Sequence, residues 1–361
     1  MKPHALLLLA ALASCRAPAP TTAPAPPPPR TAAPEPSVPA PAYREEDVTY
    51  RNPASGLTLA GTLTLPTSPG PHPAVLLISG SGAQDRDSTI FGHRPFAVLA
   101  DHLARRGLAV LRVDDRGVGG SDRGPLDVTS EDFATDVEAG VAFLRSRAEV
   151  DPGRVALIGH SEGGMIAPMV AAKDPKLAGI VLLAGPGVRG EQLLVSQSRA
   201  LLQAKGMPEG IVETAVAQQT EAMGAVAKAE TVEEARAGIL AVVGDNEMTR
   251  QAVEAQIIPW TLYFVKHDPA PVLQRVRCPV LALNGTLDTQ VVASENLPAI
   301  EAALRAGGNA DVTTEALAGL NHLFQPAKTG DPSEYEASEV TFDEAALERI
   351  SEWLVARLLG G

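Results

Sequence analysis

From Asp47 onward the chain alternates short apolar runs with longer stretches in which apolar residues return every three or four positions. Asp47–Arg51 and Leu57–Leu65 alternate with period two about an Asn52–Gly56 turn, the pattern of a hairpin. Pro73–Ser79, Leu108–Val113, Arg154–Ile158 and Leu177–Leu183 are nearly continuous apolar runs, as expected of strands buried on both faces. Phe96–Arg106 and Glu131–Arg147 carry helical spacing between them. Strand alternating with helix predicts a mostly parallel sheet flanked by helices, an α/β fold. Between Pro186 and about Arg275 the alternation stops, and Gln192–Lys205, Glu209–Met223, Val232–Val243 and Met248–Ile258 all read as helices. Strands return at Cys278–Asn284 and Ala310–Leu317, and a last helix, Asp343–Leu359, is expected to pack on the sheet. The division that follows is an α/β core of residues 43–186 and 276–361, with a helical cap of residues 187–275 inserted after the sixth strand.

The N-terminus has a different pattern. Met1-Lys2-Pro3-His4 precedes an apolar run, Ala5–Ala13, too short to span a bilayer as a helix. Residues 1–14 read as a signal peptide, and Leu12-Ala13-Ser14-Cys15 resembles a bacterial lipobox. Cleavage there would leave Cys15 as a lipid-modified N-terminus and a membrane anchor; plain secretion is the alternative. Arg16 after that cysteine implies outer-membrane sorting in a Gram-negative cell, so the expected location is the cell envelope. Residues 15–42 are almost wholly Pro, Ala and Thr after Arg16, and read as an extended tether.

Composition changes this picture little. The 361 residues, 45% hydrophobic and 20% charged, suffice for one large α/β domain with an insertion. A net charge of −13 argues against a nucleic-acid partner, because no basic patch is available to neutralise phosphates. Cys278, the second of two cysteines, opens a strand and reads as a buried thiol. No His/Asp/Glu cluster has metal-ligand spacing, so no metal is expected.

The candidate chemistry begins at Gly159-His160-Ser161-Glu162-Gly163, which joins a strand run to an apolar helical run. This is the nucleophile-elbow pattern, in which side-chain-free glycines let strand and helix approach while the serine is exposed at the apex. The helix N-terminus beneath Ser161 favours developing negative charge. Asp288 follows the Cys278–Asn284 strand, and His322 lies on a Gly-containing loop after Ala310–Leu317. Serine, acid and histidine thus appear in the order this architecture requires. Ser161 reads as nucleophile, His322 as general base and acid, and Asp288 as the residue that fixes the imidazole tautomer. His160 adjoins the serine and is expected to point away from the elbow. The oxyanion hole needs the backbone N–H of Glu162 and one from the small-residue loop Ser79-Gly80-Ser81-Gly82, with Ser81 the first candidate and Gly82 the second.

Taken together, Ser79–Asp87, Asp114-Asp115-Arg116-Gly117, Gly159–Gly164, Pro259–Pro271, Cys278–Val291 and Gly319–Pro326 resemble the α/β-hydrolase superfamily. The closer resemblance is to bacterial serine carboxylesterases with a Ser-Gly-Ser-Gly-x-Gln-Asp-Arg-Asp loop and a Gly-His-Ser-Glu-Gly-Gly elbow. That resemblance covers roughly residues 47–361 and implies cleavage of short- or medium-chain carboxylic esters through an acyl-enzyme, without a cofactor and with a small-molecule ester as the substrate. Serine peptidases and thioesterases on the same fold are the alternatives among enzymes, and a non-catalytic envelope lipoprotein is the alternative outside them.

Three readings stay open on the sequence. Trp260, Tyr263 and Phe264 concentrate aromatic residues in the cap, either as a substrate pocket or as cap core. Asp114–Gly117 reads as a charged network bracing the loops, with substrate binding by Arg116 the lesser alternative. The Glu162 side chain is expected to be an exposed carboxylate on the first turn of its helix, with orientation of the cap or capture of a substrate amine as alternatives.

Overall fold

The computed structural model describes residues 42–360. The signal peptide, Cys15 and nearly all of the tether lie outside the described residues.

β1 (Tyr43–Arg51) and β2 (Thr58–Pro66) form the expected hairpin, pairing Arg51 with Thr58 across the turn. β3 (His72–Ile78), β4 (Ala109–Val113), β5 (Val150–His160), β6 (Gly179–Leu183), β7 (Val280–Gly285) and β8 (Val312–Leu317) complete one eight-stranded sheet. Its order is β1-β2-β4-β3-β5-β6-β7-β8, antiparallel as far as β2–β4 and parallel from there on.

The apolar runs are continuous because both faces of the sheet are covered. Along β3, Ala74, Leu76 and Ile78 enter one core while Val75 and Leu77 enter the other, and β5 and β6 divide in the same way. On one face, α1 (Pro95–Ala104) and the last helix, α11 (Glu344–Leu358), bury Leu99, Leu103, Ile350 and Leu354. On the other lie α2 (Ser130–Ser146), α3 (Glu162–Ala171) and α10 (Ala293–Ala306). α10 is not among the elements the spacing was taken to predict. Its buried Leu297, Ile300, Ala303 and Leu304 have helical spacing, but Pro298 interrupts the pattern.

Between β6 and β7 the chain is wholly helical: α4 (Gly190–Ala204), α5 (Glu209–Lys228), α6 (Val232–Val243), α7 (Glu247–Gln256), α8 (Pro259–Lys266) and the short α9 (Ala270–Leu273). Because β3, β5, β7 and β8 are parallel, the segments leaving their carboxyl ends converge on one edge of the sheet. Those segments carry Ser79–Gln84, Ser161, Asp288 and His322. Among the described residues no helix is long and apolar enough to cross a membrane.

Candidate active site

The turn from β5 into α3 is as tight as its glycines imply. A Cβ on Gly159 would lie 2.0 Å from the Gly163 carbonyl oxygen, and one on Gly163 would lie 2.3 Å from that of Ile78. Ser161 between them has φ 54° and ψ −117°, a conformation a serine holds only where its surroundings enforce it. Here its N–H donates to the Leu183 carbonyl at 2.9 Å and its carbonyl accepts from the Gly164 N–H at 2.8 Å.

Asp288 and His322 meet across 34 residues of sequence. The His322 Nδ1–H donates to Asp288 Oδ2 at 2.8 Å, and both residues are buried. Asp288 Oδ1 accepts from the Gln290 and Val291 N–H groups at 2.8 and 2.9 Å, so the carboxylate is held on both oxygens. With the proton on Nδ1, Nε2 is left as the basic nitrogen. The loop is braced by Asn321, whose Oδ1 accepts from the Leu323 and Gln325 N–H groups at 2.9 and 3.0 Å.

The His160 side chain leaves the elbow for the histidine loop, where Nε2–H donates to the His322 carbonyl at 2.8 Å, and the two rings lie 4.7 Å apart. This contact brings the segment carrying Ser161 against the one carrying His322. Burial, and then the neighbouring His322, lower the His160 imidazole to about 3, so it is a neutral prop and not a second base.

The loop after β3 lies over the nucleophile. A Cβ on Gly80 would stand 3.2 Å from the Ser161 Cβ. Ser81 is half-buried and Gly82 exposed, and both face the cavity beside the cap. The loop is fixed at both ends by Asp115: Ser79 Oγ–H donates to Oδ1 at 2.7 Å and the Gln84 N–H to Oδ2 at 2.9 Å. Arg86 pairs with Asp114 at 2.7 Å and Asp47 at 2.8 Å, and Arg116 with Asp136 at 2.5 Å. The Asp114–Gly117 segment is thus a brace for the loop.

Burial raises the Asp115 carboxyl to about 7, with Glu162 and Asp136 adding to the shift against these two hydrogen bonds. The unfolded chain releases that proton near the ordinary carboxylate value, so this group takes stability away as pH rises from about 4 to 7 and adds nothing below. Asp115→Asn is therefore expected to lose less Tm than the wild type between pH 5 and pH 8, by at least ~2 °C in a thermal-melt series.

Glu162 differs from expectation. It is only 3% exposed, not a solvated first-turn carboxylate. Its Oε1 accepts from Ser130 Oγ at 2.5 Å and Trp260 Nε1 at 2.7 Å. Desolvation raises its carboxyl above the usual range, against these hydrogen bonds.

The three cap aromatics do not share one pocket. Trp260 lines a cavity of about 450 Å³ together with Ser81, Gly82, Leu126, Phe133 and Ile258. Phe264, one helical turn on, stacks under Trp260 at 5.1 Å and is buried in the core. Tyr263 points some 100° away from Phe264 around the helix, into a separate hollow with Lys266 and His267. Cys278 is a buried free thiol, which burial pushes up to about 12. Among the described residues no group of three His, Cys, Asp or Glu side chains is placed to hold a metal ion.

A strained serine at a strand-to-helix turn, a carboxylate-held histidine on the loop tied to the serine's neighbour His160 and a small-residue loop above it form a constellation suited to nucleophilic acyl transfer. The Alpha/beta hydrolase family model matches residues 75–332, and the chain belongs to that family. Esterase EstD from Thermotoga maritima is 28% identical over 319 residues, spanning 87% of this chain and 68% of EstD. An uncharacterized protein of Mycobacterium tuberculosis is 36% identical over 123 residues, 34% of this chain and 40% of its own. Among solved structures, an esterase of Pyrococcus furiosus superposes with a TM-score of 0.56 at 16% identity, over 92% of this chain and 97% of its own. The hydrolase GrgF from Penicillium gives 0.56 at 20% identity, over 88% and 99%. At these identities the structural likeness speaks for the fold alone.

Proposed function

We propose that this chain is a serine carboxylesterase cleaving short- to medium-chain carboxylic esters, with Ser161, His322 and Asp288 as its triad. The observation that carries the reading is the His322–Asp288 pair, buried and 2.8 Å apart, on a loop whose His322 carbonyl accepts from His160, the neighbour of the strained Ser161. The similarity to EstD, named an esterase, supports the ester as the scissile group.

Ser161 Oγ attacks the ester carbonyl carbon as His322 Nε2 takes its proton. The oxyanion so formed is met by the Glu162 N–H and by an N–H of the Ser81–Gly82 segment. Collapse breaks the carbonyl carbon–alkoxy bond, and His322 gives its proton to the departing alcohol. Water, deprotonated by His322, then attacks the acyl-Ser161 ester and releases the acid, the proton returning to Ser161. Asp288 stabilises the imidazolium in both halves.

The test is a kcat/KM profile of the full chain on p-nitrophenyl esters of increasing acyl length, with acyl thioesters and aminoacyl anilides alongside. Highest values on the acetate to octanoate esters are expected. Preference for the thioesters or the anilides would move the assignment to a thioesterase or a peptidase, and preference for long-chain triglycerides to a lipase.

The proposal includes an envelope location through a lipid on Cys15. Metabolic labelling with an alkynyl fatty acid should mark the wild-type chain and not Cys15→Ser. Absence of label on the wild type would refute the anchor.

A further inference from the structure

The mechanism above uses the Glu162 backbone and leaves its side chain without a task. Burying a carboxylate is costly unless it is well hydrogen-bonded. The donors that meet this one come from two separate parts of the fold. Ser130 begins α2 and Trp260 belongs to cap helix α8. The sequence separations are 32 residues for Ser130 and 98 for Trp260. Trp260 is also a wall of the cavity that Ser81 and Gly82 border. The cap therefore meets the core through an indole N–H that ends on the carboxylate of the residue after Ser161.

We propose that Glu162 is a positioning residue whose carboxylate ties the cap's Trp260 to the nucleophile elbow, so that the cavity wall and the Glu162 oxyanion donor are set together. This rests on the serine-esterase reading above. An acyl or alkoxy group pressing on Trp260 transmits its fit through Glu162 to the oxyanion site. Substrate size then registers in kcat as well as in KM.

The experiment measures kcat and KM of the full-length Glu162→Ala, Glu162→Gln, Trp260→Phe and the Ala/Phe double variant on p-nitrophenyl acetate, butyrate and benzoate, with an aminoacyl anilide alongside. Rates are normalised to active sites titrated with a fluorophosphonate. Glu162→Ala should lose on the order of 10- to 100-fold in kcat, the range for removing a charged hydrogen-bond hub or displacing one oxyanion donor. Its preference among the three esters should flatten. Glu162→Gln keeps an oxygen for Ser130 and Trp260 and should recover most of that loss. Trp260→Phe, which removes the indole donor but keeps a ring, should change the benzoate-to-acetate ratio. Its effect should not add to that of Glu162→Ala. If the alanine variant fails to fold, Trp260→Phe alone decides the question, an unchanged kcat and benzoate-to-acetate ratio then overturning the proposal.

Wild-type kcat and ester preference in Glu162→Ala, or additive effects in the cycle, would overturn the proposal. So would a Glu162→Gln variant that loses aminoacyl anilide cleavage alone, because the carboxylate would then be touching substrate. If the probe fails to label Ser161 in the wild type, the esterase reading itself has failed, whatever the variants do.

Discussion

Ser161→Ala is expected to lose ester hydrolysis by on the order of 10⁵–10⁶-fold in kcat while keeping the wild-type Tm within a degree or two. The side chain does all of its work at the oxygen. The backbone strain at φ 54° is maintained by neighbouring backbone hydrogen bonds and by the close approach at Gly159 and Gly163, none of which involve the hydroxyl. A residual rate above water of roughly 10³-fold would remain if the oxyanion donors and the cavity still hold the substrate. Burst kinetics with p-nitrophenyl acetate, which report acyl-enzyme formation, should vanish with the hydroxyl.

Asp288→Asn is expected to lower kcat by about 10³–10⁴-fold with little change in KM. In the wild type the Asp288 carboxylate accepts the Nδ1–H of His322 on one oxygen and two backbone N–H groups on the other. An asparagine that keeps its oxygen on the backbone donors must turn its NH₂ toward Nδ1. The imidazole then carries its proton on Nε2, where the base is needed, and the imidazolium loses its counter-charge. His322→Ala should cost at least as much, because Ser161 is then left without a base. If Asp288→Asn retained more than a tenth of wild-type kcat, the acid would have to come from elsewhere. A pH–rate profile of the variant would show whether it does.

Much of this site was legible because its parts obey local rules. The elbow glycines, the strand preceding each candidate residue and the order serine, acid, histidine are all properties of short segments. The hairpin and the buried strands were legible for the same reason, their alternation or continuity following from which faces are covered. What could not be read locally depends on contacts distant in sequence. Glu162 looks like any first-turn carboxylate until Trp260, 98 residues later, is folded onto it. His160 looks like a neighbour of the nucleophile until the loop 162 residues on supplies a carbonyl for its ring. The cap aromatics looked like one pocket because they are close in sequence, yet consecutive helical residues face different ways, and only Trp260 lines the cavity beside Ser81.

The central claim is that catalysis runs through an ester on Ser161. Its most direct test is acid-quench peptide mapping of the full chain during turnover of a slowly hydrolysed p-nitrophenyl ester. The account predicts that the acyl mass appears on the peptide containing Gly159–Gly164, that fragmentation places it on Ser161, and that it decays at the steady-state rate. An acyl group found on another residue, or none on a chain that is turning over, would contradict it.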